Sequence, residues 1–171
     1  GALDKRKNVL GLCKAFEHIA PQYPDFRLVL VGSLAGFEAE KVLNLIAQSP
    51  FSKQFMVKKF VSEVELQNLY ANAWAFVFPS FYEGFGIPIL EAMSHQLPVL
   101  TSQNTSMQEI AETAALYVNP YEIESIAEGL KKIIEDATLR TQLNQNAQKR
   151  LSFFSWKKTA EKTLQAYKSI L

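Results

Sequence analysis

At 171 residues, 48% of them hydrophobic, the chain is sized for a single domain (1–171) with a substantial core. A net charge of +1 offers no basic surface for nucleic acid, and a single cysteine excludes an internal disulfide and a cysteine-rich metal site. No apolar run reaches the length of a membrane span and the first residues carry no signal-peptide pattern, so a soluble, cytoplasmic chain is expected.

Helical and strand patterns alternate along the chain. Asn8 to Ala20 places Val9, Leu12, Cys13, Phe16 and Ile19 at spacings of three and four, which predicts a helix with one apolar face. Cys13 is expected there as a small buried apolar residue and His18 as a surface or boundary residue. Pro21 and Pro24 end the helix, and Arg27 to Gly32 reads as a short buried strand. A helix from about Glu38 to Gln48 follows, then a weaker strand at Phe55-Met56-Val57. Ser62 opens a helix over Glu63 to Asn72.

Ala75 to Pro79 is the next strand, followed by a loop and a helix from about Ile87 to His95, with His95 as its C-terminal cap. Strands at Pro98–Thr101 and Ala115–Val118 complete the set. From about residue 122 onward everything reads as helix: Ser125–Glu135, Ala137–Leu151 and Trp156–Ile170. Phe153, Phe154, Trp156 and Tyr167 are expected to pack these last helices together. Repeated strand–helix units with short apolar strands imply an α/β fold, a doubly wound parallel sheet covered on both faces. Such a domain opens with a strand, yet here Gly1 leads almost directly into a helix, so a preceding strand is expected outside this chain.

In an open parallel sheet, ligands bind beyond the carboxyl ends of the strands. Three segments fall there: Val31-Gly32-Ser33, the stretch from Phe78 to Pro88, and Thr101-Ser102-Gln103. The middle one is the richest. Gly84 and Gly86 permit tight turns and a close approach of ligand to backbone, and Pro88 suits the first turn of a helix. Amides of Phe85, Gly86 and Ile87 would then face an anion such as a diphosphate. Glu83 before the helix and Glu91 in its second turn could accept hydrogen bonds from hydroxyl groups at two depths of one cleft. The residues alone leave plain helix-entry chemistry, with a solvated Glu91, as an equal alternative.

The run Pro79-Ser80-Phe81-Tyr82-Glu83-Gly84-Phe85-Gly86-Ile87-Pro88-Ile89-Leu90-Glu91-Ala92-Met93 resembles the signature of the retaining GT-B glycosyltransferases of group 1 (family 4 type), two glutamates separated by seven residues. Arg6-Lys7-Asn8 is similar to that family's phosphate-binding loop, Leu28–Gly32 to its second strand, and Glu65–Tyr70 to the helix before the signature. Ala114–Pro120 and Phe154-Ser155-Trp156 resemble its closing segments, so the likeness covers nearly the whole chain. It departs from the pattern at Ala2, where an arginine is common, at Lys59, where glycine is common, and at His95-Gln96-Leu97 before Pro98.

The resemblance implies the C-terminal, donor-binding half of a two-domain enzyme, whose acceptor-binding N-terminal domain is not in this chain. Glu83 would orient the donor sugar through its hydroxyls, and Glu91 would hold the ribose. Phe85, Gly86 and Ile87, with Gly84 and Gly32 lining the site, would meet sugar or diphosphate. Lys7, aided by Arg6 in place of the arginine missing at Ala2, would neutralise the departing diphosphate. Val57 and Lys58 would face the base. Glu83 and Lys7 are thus the implied catalytic pair, with no metal and no cofactor besides the UDP- or GDP-sugar substrate.

The implied reaction is retaining transfer to a glycan or lipid-linked acceptor, in polysaccharide or surface-glycan synthesis. The resemblance implies a full-length protein at the inner face of a membrane, and this fragment alone is expected to be inactive in transfer. A non-catalytic nucleotide-sugar-binding module is the alternative, kept open by Ala2 and Gln96. A GT-B epimerase or phosphorylase fits less well, since no motif marks a lysine for an aldehyde cofactor.

Overall fold

The computed structural model describes residues 5–33, 37–103 and 106–170; Ala2 and the point where an opening strand would enter lie outside them. Helices α1 (Val9–Ile19), α2 (Phe37–Gln48), α3 (Glu63–Asn72) and α4 (Ile87–Ser94) alternate with strands β1 (Leu28–Val31), β2 (Phe55–Lys58), β3 (Phe76–Phe78) and β4 (Val99–Ser102). The short α5 (Ser106–Ala111), β5 (Ala115–Val118), α6 (Ile123–Glu135), α7 (Ala137–Leu151) and α8 (Trp156–Lys168) follow. The capping chemistry is local. Ser62, Asp136 and Ser155 accept hydrogen bonds from the amides of Glu65, Leu139 and Lys158, opening α3, α7 and α8.

Every strand pairing among the described strands is parallel, as the alternation of helix and strand predicts. The ladder is divided, however: among the described residues β1 pairs with β2, and β3-β4-β5 form a separate three-stranded sheet. What joins the two ladders is packing rather than hydrogen bonding. Leu28 of β1, Phe55 of β2, Val77 of β3 and Leu116 of β5 all lean on one cluster built around Phe16 and Ile19 of α1 and Ile126, Leu130 and Ile133 of α6.

The pleat divides the core between two faces. Leu100 of β4 joins the α1–α6 cluster, while its neighbour Val99 joins a second cluster with Ile89 and Met93 of α4 and Met107 and Ile110 of α5. Both residues are fully buried, and each such side chain removed from water contributes roughly 1.5–3 kcal/mol. A third cluster seats α2 on α1 and β1 through Val9, Cys13, Leu30 and Val42. Close approach of α6 to the sheet depends on Gly129, where a Cβ would stand 2.5 Å from Val118 and 2.8 Å from Leu100.

Cys13 is wholly buried, and burial, with Glu17 nearby, pushes its thiol up to about 12. It is the inert packing residue the sequence suggests. His18 is exposed. The last helix differs from expectation. Phe154 packs against the α4–α5 cluster, but α8 has no buried residue and Phe153, Trp156 and Tyr167 stay exposed, so they do not bind the terminal helices together. No helix among the described residues is long and apolar enough to cross a membrane.

Candidate functional site

The carboxyl ends of β3 and β4 meet around the loop that carries Glu83. This residue follows β3 and is 9% exposed, an uncommon burial for a carboxylate. Three side chains answer its charge. Its Oε1 accepts from Lys7 Nζ at 3.0 Å and from Ser80 Oγ at 3.0 Å, and its Oε2 accepts from Arg6. Burial alone would raise the carboxyl; the hydrogen bonds from Lys7, Arg6 and Ser80 outweigh it and hold Glu83 below the usual carboxylate range. Glu83 is marked in the sequence by its place beyond a strand end, and Lys7 and Arg6 by the family resemblance; the fold brings them into one ion cluster across 77 residues of chain.

The cations are placed by backbone. Lys5–Lys7 form a single 3-10 turn, and the carbonyl of Arg6 accepts from the amide of Phe81 at 2.8 Å, tying this turn to the loop that carries Glu83. Asn8 then enters α1 in the left-handed region, with φ 53°, and donates from Nδ2 to the Pro120 carbonyl at 2.7 Å. That geometry needs Gly11, because a Cβ there would lie 2.3 Å from Asn8 Oδ1. Lys7 Nζ also stands 4.8 Å from the centroid of the Phe78 ring, and its side chain is more sheltered than that of Arg6, 18% against 42% exposed.

Beyond Glu83 the chain turns into α4. Gly86 is its N-cap, with φ 106°, a conformation that a side chain would strain. Pro88 sits in the first turn. The amides of Phe85, Gly86 and Ile87 make no backbone hydrogen bond among the described residues, which leaves this helix start able to meet an anion. Gly84 has open space where a Cβ would be, and Phe85 is half-exposed against the edge of Phe154. One helical turn on, Glu91 is exposed and its Oε2 accepts from the Tyr70 hydroxyl at 3.0 Å. Glu83 and Glu91 therefore sit at different depths, the first embedded and the second at the surface.

Farther along the strand ends, the Gly32 amide donates to the Lys58 carbonyl at 3.0 Å, extending the β1–β2 ladder by one bond. Val57 is half-buried, and Lys58 forms an ion pair with Glu65 at the start of α3. The third segment marked from sequence serves a different purpose. Thr101 and Ser102 are fully buried; Thr101 donates to the Phe78 carbonyl at 2.8 Å and Ser102 to the Ser80 carbonyl at 2.7 Å. With Ser106, which donates to the Glu83 carbonyl at 2.7 Å, they brace the Glu83 loop.

Sequence reasoning assigns no individual role to Ser80, Ser102, Ser106 or Tyr70. Only Tyr70 left a signal, a large apolar ring on the inner face of α3, and it is buried between Phe76 and His95, whose ring stacks on it at 5.3 Å. His95 itself is the C-cap of α4, as expected.

The family described as glycosyl transferases group 1 matches residues 1–150. The O-antigen chain mannosyltransferase B of Escherichia coli is 33% identical over 169 residues, covering 98% of this chain and 44% of that protein. Among solved structures, sucrose-phosphate synthase from Thermosynechococcus elongatus superposes with a TM-score of 0.84 at 26% identity, over 99% of this chain and 44% of that one. The C-terminal domain of the group 1 glycosyl transferase LpcC from Francisella tularensis does so with a TM-score of 0.77 at 25% identity, over 88% of this chain and 80% of that domain. The chain thus spans less than half the length of the mannosyltransferase and the synthase.

Proposed function

Since the chain belongs to the group 1 glycosyl transferases and has the α/β fold of the C-terminal half of a GT-B enzyme, we propose that it binds a nucleotide-diphosphate sugar and presents it for transfer with retained anomeric configuration. The observation that carries this reading is the buried Glu83 carboxylate held by Lys7, Arg6 and Ser80 beside the open start of α4. Two fixed cations and a helix N-terminus form a diphosphate receptor, and charge developing on a departing diphosphate is stabilised by such preorganised groups.

In this proposal Glu83 accepts from donor-sugar hydroxyls, and the amides of Phe85, Gly86 and Ile87 face sugar or phosphate. Glu91, steadied by Tyr70, holds the ribose. Val57 and Lys58, with Gly32 beside them, line the base end. Lys7 and Arg6 take up the charge of the leaving group, so that no metal is needed. The donor is a UDP- or GDP-sugar and the acceptor a glycan or lipid-linked glycan carried by a partner domain. The relative named for mannose transfer onto an O-antigen chain favours a surface polysaccharide, built at the inner face of a membrane. Without that domain this chain binds donor and transfers none.

Calorimetric titration with UDP, GDP, ADP and their sugars, repeated on Glu91→Ala, tests the proposal. Saturable binding of one nucleotide, weakened by the substitution, is expected. No binding of any of them at millimolar concentration would overturn it.

A further inference from the structure

Glu83 gathers both Lys7 and Arg6 on one buried carboxylate. Each carboxylate oxygen has two acceptor positions. On Oε1 both are taken, by Lys7 and Ser80; on Oε2 one is taken, by Arg6. The two oxygens therefore differ. Oε1 is fixed by the more sheltered cation and a wholly buried serine, while Oε2 is held by the cation nearer solvent. Arg6 also donates to the Tyr82 carbonyl at 3.1 Å, at the rim of the same loop.

Resting on the donor-site reading above, we propose that Glu83 is an exchange switch that distinguishes intact donor from spent nucleoside diphosphate. When a nucleotide sugar binds, its hydroxyls replace Arg6 on Glu83 Oε2, and Arg6 turns to the diphosphate. The carboxylate stays satisfied and the cation is released to the phosphate. After the sugar has left, nothing supplies hydroxyls to Oε2. Glu83 then draws Arg6 back, and the nucleoside diphosphate loses that cation to the carboxylate. Glu83 thus weakens product binding selectively, a role distinct from contacting the sugar.

The two roles predict different results for the same substitution: contact with the sugar alone leaves binding of the sugar-free nucleoside diphosphate unchanged, and exchange tightens it. Glu83→Gln keeps the size of the side chain and an acceptor for Lys7 while removing the charge. With exchange, it tightens binding of the sugar-free nucleoside diphosphate by about tenfold, the effect of deleting one like charge a few ångströms from the phosphates at partial solvent screening. It also steepens the salt dependence of that binding and lowers the preference for nucleotide sugar over nucleoside diphosphate. UDP, GDP and their sugars, titrated into wild type and variant, are the probes.

If the variant binds the diphosphate equally or more weakly than wild type, exchange is refuted while the donor site stands. If wild type binds no nucleotide at all, the donor-site reading is refuted and exchange falls with it. Should the variant fail to fold, side-chain 15N resonances of Arg6 in wild type decide. They should move on adding nucleotide sugar and take a different position with nucleoside diphosphate alone; identical positions in the free and sugar-bound states refute the switch.

Discussion

Replacing Gly11 by alanine tests how the cationic turn is positioned. In an ordinary helix interior this change stabilises by about 1 kcal/mol. Here the new Cβ would stand 2.3 Å from Asn8 Oδ1, 2.9 Å from Cγ and 3.0 Å from Nδ2, so the asparagine side chain must leave its place. Doing so breaks its hydrogen bond to the buried Pro120 carbonyl, and leaving such a group unpaired costs about 2 kcal/mol. The expected net result is a destabilisation of about 1 kcal/mol, a fall of about 2–4 °C in melting temperature for a chain of this size. Asn8→Gly provides the control, because glycine accepts the left-handed φ of 53° and carries nothing to clash. In that background Gly11→Ala should stabilise by about 1 kcal/mol, giving a coupling energy of about 2 kcal/mol in a double-mutant cycle read by urea denaturation. Additive effects, or a stabilising Gly11→Ala in wild type, would refute the link between Gly11 and the Asn8–Pro120 bond.

Other expectations follow from the same geometry. Glu83 is held below its ordinary 4.5 by Lys7, Arg6 and Ser80 despite its burial, so its contribution to stability is fully present above that value and lost as pH falls through the lower folded value. Urea midpoints should accordingly drop more steeply below pH 4.5 for wild type than for Glu83→Gln, and parallel curves would refute the assignment. Tyr70→Phe removes the hydroxyl that steadies Glu91 and should weaken nucleotide binding by about threefold to tenfold in calorimetry while leaving the fold intact. An unchanged affinity would show that Glu91 needs no such support. Gly129→Ala forces a methyl group to 2.5 Å from Val118 and should cost about 1–3 kcal/mol in thermal or urea unfolding. Cys13, pushed up to about 12, should resist thiol reagents in the native state and react once the chain is unfolded in denaturant.

The sequence made much of this architecture readable because its signals are local. Ser62 three residues before Glu65 opens α3 where a capping residue should, and the apolar run Ala115–Val118 is a strand from end to end. The short α5 escaped notice because six residues hold too few apolar repeats to set a period. The division of the sheet into two ladders is a question of which strands neighbour one another, and no strand's own composition records that. In the site, Glu83, Glu91 and the glycines lie within one readable stretch, and Lys7 and Arg6 were reached through family resemblance. That these cations close on Glu83 is a fact of tertiary contact across some 77 residues. The bracing hydroxyls of Ser80, Ser102 and Ser106 remained silent because a lone serine at a strand end looks the same whether it supports a loop or faces water. The exposure of Trp156 and Tyr167 was misjudged because an apolar residue on a helix does not announce what covers it.

The bond from the Phe81 amide to the Arg6 carbonyl joins two loops through their main chains alone. A contact of that kind is indifferent to the side chains at either end. Substitutions at Lys5 or Tyr82 leave both of its main-chain partners in place. The molecule therefore separates, in part, the problem of where its charges stand from the problem of what those charges are.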